Sequence, residues 1–167
     1  MILFLDYDGV LHPDAVYLVH GRPVLRADGE LFMWTPILTA TLERCPDLRI
    51  VLSTSWVRVL GFSRARDFLP DSLRRRVIGA TWHSAMGRHH EGHHRLDDNW
   101  FVRASRYEQI KRYLSRTSSD VAREWIAIDD DDEGWDESDR YHLVRTSGWT
   151  GLSSPESQLD LQAKLNQ

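Results

Sequence analysis

Two carboxylates, Asp6 and Asp8, stand one residue apart at the end of a short apolar run, Ile2-Leu3-Phe4-Leu5, and Gly9 follows them. An apolar run closed by polar residues and glycine reads as a buried strand with its chemistry at the carboxyl end. Side chains alternate along an extended chain, so Asp6 and Asp8 are expected on the same side. Two acids that close repel unless a cation or a shared proton lies between them. Gly9 lets the backbone turn away and leaves amides free nearby. A plain Asp-rich turn after a strand would use the same residues.

Two other stretches end in the same way. Leu48-Arg49-Ile50-Val51-Leu52 runs into Ser53-Thr54-Ser55-Trp56, and Trp125-Ile126-Ala127-Ile128 runs into Asp129-Asp130-Asp131-Asp132-Glu133-Gly134. A hydroxyl at the end of a buried strand can donate to a phosphate oxygen together with helix amides, although an ordinary helix cap uses the same residues. The acidic run is not an EF-hand: its fifth position holds Glu133 and its twelfth Arg140, and a strand precedes it. What remains is a strand delivering Asp129 and Asp130 to its carboxyl end. Ser105 and Glu108 form a capping-box pattern, which places Arg106 in the first turn of a helix, where the dipole disfavours a cation unless it reaches an anion. Lys111 is its rival for that role.

The elements that must position these residues alternate. After Asp8, Val16–Val19 and Val24-Leu25 flank His20-Gly21-Arg22-Pro23, a small hairpin or flap within residues 14–32. Trp34-Thr35-Pro36-Ile37 opens a helix that Thr35 can cap, and residues 64–76 read as helical with a break at Pro70. Val77–Thr81 and His142–Arg145 are further short strands, and Pro155 opens a closing helix behind Ser154. Residues 82–104 carry His83, His89, His90, His93 and His94 without an apolar face. The paired spacing could bind zinc on a helix, but the glycines favour a surface loop that could cover the site. Alternating strands and helices give an α/β fold with a mostly parallel sheet between helical layers, and its site lies at the strands' carboxyl ends.

Composition sets the outer limits. At 167 residues, 41% apolar and 28% charged, the chain is expected to form one soluble domain, residues 1–167. A net charge of -4 argues against bulk electrostatic binding to nucleic acid. The single Cys45 excludes an internal disulfide framework and fits a reducing compartment. The opening strand leaves no room for a signal peptide, and no apolar run is long enough to span a bilayer, so a cytoplasmic protein without a membrane partner is expected.

The set of strand ends resembles the haloacid dehalogenase (HAD) superfamily, dominated by aspartate-nucleophile phosphatases. Asp6-Tyr7-Asp8-Gly9-Val10-Leu11 matches its first motif, Ile50 to Thr54 its second, Arg106 its basic third, and Ile126-Ala127-Ile128-Asp129-Asp130 its fourth. Val51-Leu52-Ser53-Thr54-Ser55-Trp56 and Ile128-Asp129-Asp130-Asp131 are more closely similar to small HAD domains associated with RNA-repair proteins.

The resemblance implies a Rossmannoid three-layer sandwich with a minimal cap and a magnesium-dependent phosphomonoester hydrolase. Asp6 would be the nucleophile and Asp8 the acid and then the base. Asp6, the Asp8 carbonyl, Asp129 and Asp130 would hold Mg2+. Thr54 or Ser53 and Arg106 would hold the transferring group, with Gly9, Ser55 and Lys111 as further contacts. An aspartate at position 8 favours phosphoester over haloacid chemistry. With no stretch long enough for a large cap, the site is expected to be open. It would take a phosphorylated small molecule or a nucleic-acid terminus, or be covered by a protein partner or another copy. A non-catalytic binding module of the same fold is the other class. Trp56, Trp82 and Trp135 are read as packing the rim, with stacking on bases as the alternative.

Overall fold

Where the apolar runs lie decides the architecture. In the computed structural model, which describes residues 1–87, 100–117 and 124–166, they form strands β1 (Ile2–Leu5), β2 (Val16–Val19), β3 (Arg22–Leu25), β4 (Arg49–Leu52), β5 (Val77–Ala80), β6 (Trp125–Asp129) and β7 (Leu143–Arg145). Helices follow the connections: α1 (Thr35–Leu42), α2 (Ser55–Leu60), α3 (Phe62–Asp67), α4 (Asp71–Arg74), α5 (Trp100–Arg103), α6 (Arg106–Leu114) and α7 (Pro155–Leu165). The main sheet has the order β5-β4-β1-β6-β7, and all its pairings are parallel. β1 is therefore central and buried at every residue.

Alternation divides the sheet's side chains between two cores. Leu3, Leu5, Ile50, Leu52, Ile126 and Ile128 share one core with Leu38 of α1, Trp56 of α2 and Leu161 of α7. Ile2, Phe4, Val51, Trp125 and Ala127 pack on the other face against Ile110 and Leu114 of α6. Helices thus cover both faces, the α/β three-layer arrangement expected from the sequence. Each fully buried aliphatic side chain contributes roughly 1.5–3 kcal/mol relative to exposure.

The register aligns the strand ends. Leu5 lies beside Leu52 of β4 and Ile128 of β6, so Asp6, Ser53 and Asp129 follow at one level. The amide of Ser53 donates to Leu5 O at 2.9 Å and that of Asp6 to Ile128 O at 3.2 Å.

Local differences have local causes. The segment 14–32 contains the expected hairpin, β2 paired antiparallel with β3. Its turn residues His20 and Gly21 both have positive φ (48° and 74°), as a two-residue turn of matching twist requires. In α1 the cap position is Trp34 rather than Thr35, because the Trp34 amide is held by Leu11 O at 3.0 Å and starts the helix one residue early. Ser154 sits at the N-cap of α7 but makes no side-chain cap bond. The stretch expected as a continuous loop contains α5, anchored where Phe101 packs on Trp82 with ring centroids 4.9 Å apart. His89, His90, His93 and His94 lie outside the described residues. Among the described residues, no helix is long and apolar enough to cross a membrane.

Candidate active site

Parity explains which strand-end residues meet. Asp6 continues the Ile2–Phe4 face, Ser53 the Val51 face and Asp129 the Trp125–Ala127 face, so all three turn toward α6. Ser105 and Glu108 form the full capping box at the start of α6, and Arg106 reaches back to the sheet from its first turn. Arg106 Nη2 donates to Asp6 Oδ2 at 3.2 Å. Its Nε lies 3.0 Å from Asp129 Oδ2, an ion-pair contact not aligned as a hydrogen bond. A cation in the first turn is explained by the two buried carboxylates it faces.

Carboxylate oxygens of Asp6, Asp129 and Asp130 all lie within 4.8 Å of one another. The acids pay for their closeness in proton affinity. Burial raises Asp6 above the usual carboxylate range, against Arg106 and with repulsion from Asp8. Burial and then repulsion from Asp6 hold Asp129 well above that range, and Asp130 is pushed up to about 6, first by burial and then by Asp6 and Asp14. A hard-oxygen cluster of this kind fits a small divalent cation, whose charge would relieve the repulsion. Gly9 (φ +66°) leaves the space that Asp130 fills; a Cβ there would run into its carboxylate.

The hydroxyl trio is divided among three environments. The Thr54 side chain accepts the Trp56 amide at 3.4 Å, and its hydroxyl lowers the proton affinity of the Asp6 carboxyl, against the larger effect of burial. Ser53 is fully buried at the level of Asp6, and its Oγ has no hydrogen-bond partner among the described residues. Ser55 is exposed on the rim of a recess of about 480 Å³ that Arg58, Arg103 and Arg106 also line. Lys111 is not brought in: its ammonium pairs with Asp139 at 2.8 Å, away from the acids.

Asp8 stands apart from the acid cluster. The chain leaves the strand after Leu5, and the Asp8 carboxylate does not join the Asp6–Asp129–Asp130 cluster. His12 Nε2 lies 3.0 Å from Asp8 Oδ1, and Trp56 Nε1 donates to Asp8 Oδ2 at 2.8 Å. Only the main-chain carbonyl of Asp8 is left for the ligand role the resemblance implies. His12, Trp56 as a donor, and Phe32, whose amide meets His12 Nδ1 at 3.2 Å, were not visible as site residues in the sequence. The only signal was the spacing of His12, four residues beyond Asp8.

Trp56, Trp82 and Trp135 are each less than 10% exposed and pack the core, so they offer no free face to a base. Trp149, not singled out by the sequence, is 72% exposed. It adjoins Gly148, where a Cβ would lie 3.0 Å from Asp130 Oδ2.

Comparison with known protein families matches residues 2–157 to the model for the HAD domain in Swiss Army Knife RNA repair proteins. Neither the curated proteins nor the solved structures compared with the chain gave a match.

Proposed function

We propose, from the premise that this chain belongs to the family of HAD domains in Swiss Army Knife RNA repair proteins, that it is a magnesium-dependent phosphomonoester hydrolase working through an aspartyl-phosphate. The observation that carries this reading is the alignment of Asp6, Ser53 and Asp129 at one level of three adjacent parallel strands, with Arg106 within 3.2 Å of both acids.

In the first step an Asp6 oxygen attacks phosphorus while the bond to the leaving oxygen breaks, and Asp8 gives that oxygen its proton. In the second step Asp8, now a carboxylate, takes a proton from water; the water oxygen attacks phosphorus and Asp6 leaves as carboxylate. Asp8 is then protonated again and inorganic phosphate is released. Arg106 and the Thr54 hydroxyl hold the equatorial oxygens as charge redistributes among them. Asp6, the Asp8 carbonyl, Asp129 and Asp130 would hold Mg2+, which supplies positive charge against the repulsion between nucleophile and phosphate. The test is phosphate release from an aryl phosphate and from phosphorylated oligonucleotides, with and without magnesium. Release that needs magnesium and falls more than about 10³-fold in Asp6→Asn is expected; equal turnover by the folded variant would end the reading.

A second specific observation favours a nucleic-acid terminus as the substrate. Trp149 stands exposed next in sequence to Gly148, which lies against Asp130, and it lines a recess of about 660 Å³ together with Arg26. A base stacked on an aromatic face contributes roughly 1–3 kcal/mol, so Trp149→Ala should raise the oligonucleotide KM about ten-fold and leave the aryl phosphate unaffected. An unchanged oligonucleotide KM would return the choice to small phosphoesters.

A further inference from the structure

We infer that His12 and Trp56 are positioning residues for the acid–base step, a pair of neutral N–H donors that fixes the Asp8 carboxyl, with Phe32 setting the donor state of His12. The inference rests on the phosphohydrolase reading above and adds to it the device that aims its acid.

His12 is fully buried, and both of its ring nitrogens are engaged. The Phe32 amide donates to Nδ1 at 3.2 Å, so Nδ1 carries a lone pair. Neutral imidazole has one N–H, which must then sit on Nε2 and point to Asp8 Oδ1 at 3.0 Å. Trp56 Nε1 is a donor only and takes the other oxygen at 2.8 Å. An aspartate carboxyl otherwise turns freely about its last torsion. Donors on both oxygens stop that rotation, while each oxygen keeps a second lone pair for a transferable proton. The Asp8 side chain is 22% exposed, so the clamped group still has an open side.

The surrounding rings hold this arrangement against backbone strain. Phe32 has φ +63°, a left-handed conformation rare for a bulky residue and common at functional positions. Its ring centroid lies 5.0 Å from Tyr7, 4.9 Å from His12, 5.3 Å from Trp56 and 5.4 Å from Phe68. That packing keeps the Phe32 amide aimed at His12. A histidine serving the core alone would have no reason to end on a part-exposed carboxylate of the site.

The test separates leaving groups. Protonation matters greatly for an alkoxide leaving group and little for a nitrophenolate, and kcat/KM reports only the steps through aspartyl-phosphate formation. Trp56→Phe removes one N–H and keeps an aromatic ring. His12→Asn keeps an acceptor near Nδ1 and removes the donor to Asp8, whereas His12→Gln can restore a donor near Nε2. With folding checked by thermal unfolding, Trp56→Phe and His12→Asn should each lower the ratio of alkyl- to nitrophenyl-phosphate kcat/KM about ten-fold, and His12→Gln should recover most of it. Should the ratio hold in both donor-removing variants, or both substrates lose equally, the clamp is wrong. If Asp6→Asn still abolishes release in that case, the phosphohydrolase reading survives; no release by the wild type with magnesium would overturn both.

Discussion

Asp6 and Asp8 are separated by one residue, yet they occupy opposite kinds of site. Asp6 lies among charges: a guanidinium, two further acids and the end of a parallel sheet. Asp8 lies against the ring nitrogens of His12 and Trp56 at the edge of a cluster of rings. The first environment holds acids that repel one another, a repulsion that a bound cation would relieve, and the second satisfies both carboxylate oxygens of Asp8. A nucleophile that must meet a dianionic phosphate needs positive charge nearby, whereas an acid that must gain and lose one proton needs a fixed direction. Environments that differ this much between two neighbouring carboxyls suit the different roles proposed for them.

The largest test of this contrast removes the charge that Asp6 and Asp129 share. Arg106 is 16% exposed at its side chain and touches both acids, so Arg106→Ala leaves two buried carboxylates without their partner. Breaking a buried pair from one side costs about 3 kcal/mol, which urea unfolding in the absence of magnesium would register. Arg106→Lys should recover only part of this, because an ammonium lacks the two-pronged reach of the guanidinium. A loss below about 1 kcal/mol would mean that the acids are already relieved by protonation, and the Asp6 side of the comparison would fail.

A smaller effect follows from pH. The folded-state proton affinities of Asp6, Asp129 and Asp130 are all raised, so the folded chain binds more protons than the unfolded chain above the ordinary carboxylate range. Stability without metal should therefore fall as pH rises through about 6, the value to which Asp130 is pushed. Magnesium should raise the thermal midpoint, and more at about pH 7.5 than at about pH 5. Asp130→Asn removes one repelling charge; it should stabilise the metal-free protein at neutral pH and weaken the magnesium response. A midpoint that magnesium moves equally at both pH values would dissociate the acid cluster from cation binding.

The Asp6 side of the site was largely legible in the sequence, and the Asp8 side was not. Apolar runs ending in acids or hydroxyls announce both the strands and their carboxyl ends, and parallel register brings Asp6, Ser53 and Asp129 level without further information. The capping box fixed where α6 starts and so where Arg106 would stand. The direction of Asp8 depends instead on where β1 stops and on a turn through Gly9, which alternation does not predict. Phe32 was invisible because a left-handed phenylalanine leaves no mark in composition or periodicity. Trp149, in a short run without either period, gave no sign of its exposure, while the three tryptophans beside apolar strands were correctly read as packing the rim.

The smallest effect concerns the second basic candidate on the same helix. Five residues separate Lys111 from Arg106, about 140° around the helix and roughly 7.5 Å along it, so the two cannot serve one site at the sheet's end. Lys111 is 48% exposed and pairs with Asp139, which also accepts from Tyr107 at 2.8 Å. An exposed pair of this kind contributes roughly 0–1 kcal/mol. Lys111→Ala should therefore change stability by less than about 1 kcal/mol and kcat/KM by less than about two-fold, in the same assays that expose Arg106→Ala. Loss of turnover in the Lys111 variant comparable to that in the Arg106 variant would show that the helix turn, not the individual guanidinium, carries the charge the acids require.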